Sequence, residues 1–555
     1  MKIGILSNVN ISSIVGKIDD SFEVYKPDGY GVWVQEITDI KSALYKFKPE
    51  GIFLILDGKE LIRNKELWDI EDKKNELLRN LEYIEQAVVK NRDIRFFISD
   101  IDIETKKIKV EKDCKEDTIM QLEWLNRLSE LKNKYNNMSI FPLKRLIDVE
   151  GRKSFYCNKL WYLSGMKFSV KGEEIIKAEI ESLAVAMSGR RKKCLVLDLD
   201  NTLWGGIIAE VGVDGIELSE YKEGARYKEF QKRIKEIKDT GVLLCICSKN
   251  NEKDVDEVFF KHPHMVLKKS DFTCIKINWL SKVENIKKVC SELNLGADSL
   301  VFIDDSPIER ELVKNNVEGI IVPDFPEDTY MLEDFIIDIY NKYFRILQTS
   351  TEDLNRTEMY KENLEREIEK KETESLEAFL KNLRMEITVR KASGHDILRI
   401  SQLTQRTNQF NLTNKRYTRT DVSSLIKNKS FDVFAVEVKD KFGDNGVVSV
   451  IIVERKNLKE IFVDTFLMSC RVMGRKIEEQ LISFVEDFYR SSGFEKIFTY
   501  YNASKKNKPV EKFYDNMGYK VISLDENGSK FYGEKIVKLK NVKRSIYGKL
   551  KLSGF

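Results

Sequence analysis

Histidine is almost missing from this chain of 555 residues, which has three: His262, His264 and His395. That scarcity argues against a His-rich metal site and against most triads built on a histidine base. An excess of one charge is missing too. Lys plus Arg number 94 and Asp plus Glu 91, a formal +3, so global charge supports neither a nucleic-acid partner nor a membrane surface. No apolar run approaches the ~20 residues of a membrane helix. The eight cysteines stand singly apart from Cys245 and Cys247, with no CxxC ladder and no signal peptide at the start. Such thiols are expected to be reduced and the chain cytoplasmic. Internal repeats and low-complexity stretches are also lacking.

What is present is an apolar share of 42%, enough for several cores, beside 33% charged residues. At roughly 100–200 residues per domain the length predicts three or four. Strand-like runs at Lys2–Ile5, Gly51–Leu56 and Ile94–Ile98, with a charged helical stretch from about Lys59 to Lys90, predict a small α/β domain over residues 1–165. Ile176, Ile180, Leu183 and Met187 recur at helical spacing, which predicts a connecting helix. Short apolar strands at Cys194–Leu197, Val242–Cys247 and Leu300–Ile303 alternate with amphipathic helices at Tyr227–Asp239 and Lys282–Leu293. That pattern predicts a doubly wound parallel sheet over 166–345, with ligands at the carboxyl ends of its strands. Residues 346–383 contain a densely charged run, Thr351–Leu383, without Gly or Pro. It predicts a solvated linker helix laced with i,i+4 pairs. A last α/β domain, 384–555, has strands near Val433–Val438, Val447–Val453 and Ile461–Met468. The expected fold class is α/β, in several domains.

The sharpest local signal is Asp198-Leu199-Asp200-Asn201-Thr202, at the end of the strand CLVL. Residues two apart on a strand face one side, so both carboxylates reach one pocket. One can attack phosphorus while the other, held protonated, protonates the leaving oxygen. Ser248 follows the strand VLLCIC and offers a hydroxyl to phosphate. Lys282 opens a helix and offers a fixed positive charge. Asp304 and Asp305 follow the strand LVFI and offer a carboxylate edge for a metal. Oxygen ligands without His or Cys point to Mg2+. Any one of these is often only a helix cap, but four in this order point to phosphoryl transfer.

These residues match, in order, the four motifs of the haloacid-dehalogenase (HAD) superfamily. The strings KCLVLDLDNTLWGG (193–206), CSKNN (247–251), NWLSKVENI (278–286) and VFIDDSPIERELV (301–313) resemble its FkbH-like branch, the glyceryl-acyl-carrier-protein synthases of polyketide pathways. The similarity continues through QLTQRTNQFNLT (402–413), FLMSCRVMGR (466–475) and NKPVEKFYDNMGY (507–519), and Ser306 stands where the branch commonly has Asn. The resemblance implies Asp198 as nucleophile and Asp200 as general acid/base. It implies Mg2+ on Asp198, the Asp200 carbonyl and Asp304, with Asp305 beside them. It further implies 1,3-bisphosphoglycerate as substrate, its acyl phosphate captured by an enzyme thiol, its other phosphate removed at the HAD site. The glyceryl group then passes to the phosphopantetheine thiol of an acyl carrier protein.

In the last domain, the strand Ile461–Cys470 runs into Arg471-Val472-Met473-Gly474-Arg475-Lys476 and then an apolar-periodic helix. Strand, tight turn and helix N-terminus predict an anion cradle for a pyrophosphate or the phosphopantetheine phosphate, with Arg471, Gly474, Arg475 and Lys476 around it. This resembles the R/QxxGxG/A loop of GNAT acyltransferases, with Lys476 in place of the last glycine. Phe513–Tyr519 resembles the GNAT closing segment, which implies that Tyr514 protonates a departing thiolate; a core position explains it equally well. Cys470, at the strand end beside the cradle, is the favoured acyl-carrying thiol, and Cys247 the second. The amide-rich Gln405–Asn411 suits a small polyol acyl group, or simply a capped loop. The first domain faintly resembles SGNH hydrolases, with Ser7-Asn8 after its first strand. With no histidine before His262, a triad within it is excluded, and a scaffold or docking role is expected. The leading expectation is a bifunctional phosphatase and acyltransferase that loads a glyceryl group onto a carrier protein. The alternative is a HAD phosphatase fused to an acyltransferase acting on a sugar or an amine. A docking scaffold with a dead phosphatase site is a third.

Overall fold

The computed structural model describes residues 1–29, 31–62, 69–103, 115–189, 191–347, 356–504, 506–539 and 547–553. The chain falls into two compact units, Met1–Ser188 and Gly189–Phe555. In the first, β1 (Lys2–Ser7), β2 (Glu23–Tyr25), β3 (Gly51–Ile55), β4 (Arg95–Ser99) and β5 (Met138–Phe141) form a parallel sheet in the order β2-β1-β3-β4-β5. Strands β1, β3 and β4 are nearly continuous apolar runs because helices cover both faces. The boundary expected after residue 165 falls at Ser188. The helix Val170–Ser188 buries Ile176, Ile180, Leu183 and Ala184 within the first unit, so it is part of that unit's core and not a connector. Ser7 and Asn8 act as ties between strands: Ser7 Oγ donates to the Ile55 carbonyl at 2.6 Å, and Asn8 Nδ2 to that of Asp57 at 2.9 Å.

The second unit opens with β6 (Cys194–Leu197), β7 (Leu243–Ser248), β8 (Phe272–Ile277) and β9 (Leu300–Ile303), a parallel sheet in the order β8-β7-β6-β9. Apolar clusters fill both of its faces, one around Leu195, Phe230 and Ile303, the other around Val196, Ile286 and Phe302.

The expected linker departs most from its prediction. Residues 351–355 lie outside the described part, and from Arg356 to Glu372 the chain is helical. This helix is not solvated all round. Met359, Tyr360 and Arg366 are buried, Tyr360 and Leu364 join the apolar cluster of the four-stranded sheet, and Arg366 grips Asp440 at 2.7 and 2.8 Å. Positions 359, 360, 363 and 366 make one helical stripe. The helix thus clamps the sheet to the domain that follows.

That domain contains β10 (Glu386–Lys391), β11 (Phe410–Asn411), β12 (Phe431–Asp440), β13 (Gly443–Arg455), β14 (Glu460–Met468), β15 (Lys496–Tyr501), β16 (Lys520–Leu524), β17 (Lys530–Lys535) and β18 (Lys549–Ser553). The sheet order is β16-β17-β15-β14-β13-β12-β10-β18. β14 and β15 pair in parallel only over Glu460–Val463 and Lys496–Thr499, then part. The gap is bridged by the chain itself. β11 pairs with Leu467 and Met468, Leu412 N donates to Phe466 at 3.2 Å, and Asn502 N donates to Leu412 at 2.8 Å. The architecture is thus multi-domain α/β, with parallel sheets in the first unit and at the start of the second. Among the described residues, no helix is long and apolar enough to cross a membrane.

Candidate active site

Strand β6 ends at Leu197, and its next residue, Asp198, sits buried where β7 and β9 also end. The Lys282 ammonium, on the first turn of the helix Lys282–Glu292, lies 2.9 Å from Asp198 Oδ1 and also pairs with Asp304. The helix is capped by Ser281, which accepts from Glu284 N at 3.2 Å and so fixes where Lys282 starts. Burial works against the ammonium, but Asp198 and Asp304 outweigh it and hold Lys282 above the usual lysine value. Asp304 is pushed up to about 6 by burial and then by the charge of Asp198. Burial, then Asp198, raises Asp305 as well.

Asp200 is set apart from these carboxylates. Its oxygens accept from Trp204 Nε1 at 3.0 Å, Asn250 Nδ2 at 3.0 Å and Ile208 N at 3.2 Å. Burial nevertheless raises it, so it retains its proton more readily than an ordinary aspartic acid. Asn250 Nδ2 also lies 3.2 Å from Ser248 Oγ, joining acid and phosphate ligand in one network. Asn250 had no assigned role in the sequence; the signal for it was the polar run after β7. Thr202 Oγ1 accepts from Asp305 N at 3.2 Å, and Arg310 Nη1 donates to the carbonyls of Asp304 and Asp305 at 2.9 and 2.6 Å. These contacts hold the acidic turn open toward Asp198.

Asp198, Asp304 and Asp305 each offer a carboxylate oxygen within 4.8 Å of the others. Octahedral Mg2+ with bonds of ~2.1 Å nearly spans that separation, and three hard oxygen donors suit it. Asp198 Oδ1 is buried and, beyond its ion pair, makes no aligned hydrogen bond, so an acceptor is left facing the cluster. The residues therefore fit Mg2+. The Asp200 carboxylate is not among the three.

Cys470 lies elsewhere. It borders a cavity of about 370 Å³ formed by the start of β6, the residues before β9, the clamping helix and the C-terminal domain. Its carbonyl accepts from Asn294 Nδ2 at 3.1 Å. Burial pushes the Tyr360 hydroxyl above the usual tyrosine value, with the Cys470 sulfur adding to the shift and Arg356 and Arg471 opposing it. Thr407, Asn408, Gln409 and Phe410, from the amide-rich segment, line the same cavity. Lys193 lines it from the amino end of β6, whereas Asp198 follows the carboxyl end. Five residue steps at ~3.3 Å separate them by about 16 Å. The two sites lie at opposite strand ends of one sheet.

The remaining expected residues have other partners. Arg475 is buried and donates to Asp440 Oδ2 at 2.9 Å, Asn363 Oδ1 at 2.9 Å and the Arg471 carbonyl at 2.6 Å. Lys476 takes a left-handed conformation, φ 60°, and pairs with Glu479 at 2.5 Å. Glu478 and Glu479 occupy the first turn of the helix Ile477–Ser491, so carboxylates already complement its N-terminus. Gly474 has φ 78°, which the tight turn needs. The expected anion cradle is therefore filled by the chain's own side chains, and only Arg471 among the four lines the Cys470 cavity. Tyr514 is 1% exposed, its hydroxyl 3.1 Å from Thr499 Oγ1, and it does not line that cavity. Its position is that of a core residue. Cys247 is fully buried, its thiol pushed up to about 12 by burial.

No protein-family model and no curated protein matches the chain. Among solved structures, it is similar to the N-terminal part of a Bacteroides fragilis protein, described as containing a phosphatase domain complexed with Mg. The identity is 26% and the TM-score 0.57, over 63% of this chain and 94% of that one. It also matches the spermidine N-acetyltransferase of Vibrio cholerae in complex with CoA and spermine, at 16% identity and TM-score 0.24, over 28% of this chain and 99% of that one.

Proposed function

We propose that the chain is a bifunctional Mg2+-dependent phosphatase and acyltransferase. The observation that carries this reading is the cluster of buried Asp198, Ser248, Lys282 and Asp304 with half-buried Asp200 and Asp305 around the carboxyl ends of β6, β7 and β9. The phosphatase domain of the Bacteroides fragilis structure, described with Mg, supports it. Asp198, Asp304 and Asp305 would hold Mg2+, which when bound would supply positive charge to the phosphoryl oxygens. An Asp198 oxygen attacks phosphorus as the ester oxygen departs, and Asp200 gives that oxygen its proton. The Ser248 hydroxyl and the Lys282 ammonium hold the other phosphoryl oxygens. Water then cleaves the aspartyl phosphate, returning a proton to Asp200. Asn250 acts through Asp200 and Ser248, as a positioning residue.

The acyl half is proposed for an acyl phosphate, 1,3-bisphosphoglycerate. The Cys470 sulfur attacks the carbonyl carbon and the carbon–oxygen bond to phosphate breaks. Phosphate leaves with the electron pair and the thiol proton, and a thioester remains. The second phosphate is removed at Asp198, and the glyceryl group passes to the phosphopantetheine thiol of an acyl carrier protein. Support comes from the place of Cys470 on a cavity and from the sequence resemblance. Intact-protein mass spectrometry after incubation with 1,3-bisphosphoglycerate and Mg2+, with and without carrier proteins, tests the scheme. An adduct that moves to a carrier is expected. An unmodified enzyme that still releases phosphate would sink the acyl half and leave the phosphatase.

A further inference from the structure

The phosphatase site has an indole at its mouth that the chemistry described so far does not use. Among the described tryptophans, Trp33, Trp124 and Trp204 are buried and Trp161 is half-buried, whereas Trp279 is 68% exposed. Its exposure does not come from a loose loop. Asn278 N donates to the Ser248 carbonyl at 3.2 Å, and Asn278 Oδ1 accepts from Leu280 N at 3.0 Å and from Asn285 Nδ2 at 2.9 Å. With Ser281 capping the next helix, the turn between β8 and Lys282 is pinned on both sides of the indole. Trp279 Nε1 donates to Asn251 Oδ1 at 3.3 Å, and the residue before Asn251, Asn250, donates to Asp200 Oδ2 at 3.0 Å. The other carboxylate oxygen, Asp200 Oδ1, accepts from Ile208 N at 3.2 Å. Ile208 is buried, and the extended Ile207 before it is 40% exposed. Two exposed apolar side chains thus stand next to residues that hold the two oxygens of the proton donor.

We infer that Trp279 and Ile207 are specificity-determining residues of the phosphatase site, selecting phosphate monoesters whose alcohol carries an apolar segment beyond the ester oxygen. Asp200 protonates that oxygen in the proposed reaction, so the leaving group passes the residues that hold Asp200. The polar side chains beside them are committed to other partners. Lys249 pairs with Glu309 at 2.5 Å, and Asn251 Nδ2 donates to Asp254 Oδ2 at 3.2 Å. What this flank offers a leaving group is therefore indole and aliphatic surface, held in a fixed place. Covering it removes apolar area from water, and a pinned side chain loses little conformational freedom on contact. A glyceryl ester, with oxygen on every carbon, gains little from such a flank, so the inference widens the phosphatase half beyond the glyceryl cargo. It rests on the phosphatase reading of Asp198 and Asp200 and is independent of the acyl role of Cys470.

The test compares two primary alkyl phosphates of similar intrinsic reactivity, 3-phenylpropyl phosphate and glycerol 3-phosphate, on the full chain with Mg2+. Wild type should show a kcat/KM about tenfold or more higher for the phenylpropyl ester, the scale of one well-packed methylene. Trp279→Ala and Ile207→Ala should each bring that ratio toward one, chiefly by raising KM for the phenylpropyl ester. Trp279→Phe, which keeps a ring but loses the bond to Asn251, should retain most of it. Phe260 is 89% exposed at the far end of the helix Glu252–Lys261, and Phe260→Ala should leave the ratio as in wild type. Equal kcat/KM for the two esters in wild type, or a preference that survives either alanine substitution at the mouth, overturns the inference and leaves the phosphatase intact. Hydrolysis of neither ester, or hydrolysis that persists in Asp198→Asn, would instead overturn the phosphatase reading, and the inference with it.

Discussion

The Lys282 ammonium stands 2.9 Å from Asp198 Oδ1, inside the cluster that would receive both a divalent cation and a phosphoryl group. Lysine and metal therefore share the work of neutralising one carboxylate and its incoming anion. The charge on Asp198 is central to that arrangement.

Asp198→Asn keeps volume and shape but removes the charge and the nucleophile. Phosphate release should fall by roughly a thousandfold or more, the scale seen when a nucleophile is lost. Stopped assays with a phosphate monoester check this; a wild-type rate in the presence of Mg2+ would falsify the assignment. The same variant, given 1,3-bisphosphoglycerate, should accumulate a phosphoglyceryl adduct by intact mass.

Chelation should stop phosphate release, and added Mg2+ should restore it. Asp304→Asn should raise the Mg2+ concentration for half-activity by at least about 10- to 100-fold, the range already reached when only a hydrogen-bond partner of a metal ligand is lost. An unchanged Mg2+ requirement in a titration of activity would remove Asp304 from the metal site.

Cys470→Ser should lose transfer to a carrier. In wild type, peptide mapping after substrate treatment should find the adduct on Cys470. If the adduct sits on Cys247 and Cys470→Ser still loads a carrier, the transfer site is misassigned.

Asp440 anchors two buried cations, Arg366 at 2.7 Å and Arg475 at 2.9 Å. Asp440→Ala strands both, and losing one partner of a buried pair costs about 3–5 kcal/mol. Thermal melts should show the second unit destabilised. An unchanged melt would mean that water replaces the carboxylate without loss.

Asp100 is pushed up to about 6, chiefly by burial, while in an unfolded chain it titrates near 3.8. The folded form thus binds the proton more tightly, and stability is lost as pH rises from about 4 through 6. Asp100→Asn should match wild type at pH 4 and be more stable at pH 7, by denaturant titration. Equal stability at both pH values would show that the carboxyl carries no burial penalty.

The phosphatase cluster was legible in the sequence because Asp198, Ser248 and Asp304 each immediately follow or end a strand, where topology sets direction, whereas Asp200 lies three residues past the end of β6, beyond the reach of alternation. Asn250 was missed because an amide in a polar loop carries no periodic signal. Tyr360 and Arg356 were missed for a different reason: the charge around them suggested a solvated helix, and its buried positions, 359, 360 and 366, are few. The cavity that joins residues near 193, 298, 356, 402 and 470 is purely tertiary. For the turn after β14, the sequence identified the strand, turn and helix but not Glu478, Glu479 and Asp440, which occupy the charges expected to meet an anion.

The two sites at opposite strand ends of the sheet give the proposed scheme a delivery problem. On the proposed scheme, cargo fastened at Cys470 would lie at the cavity that Lys193 lines, with about 16 Å of strand between that level and Asp198. Proximity therefore cannot impose the order of the two reactions on a cargo that stays put. A long flexible tether, or release and recapture, has to carry it around the sheet, and either route leaves the intermediate exposed to interception in transit. Throughput then depends on how fast that journey is made, and a soluble trap added during turnover should divert product without touching either set of reacting groups.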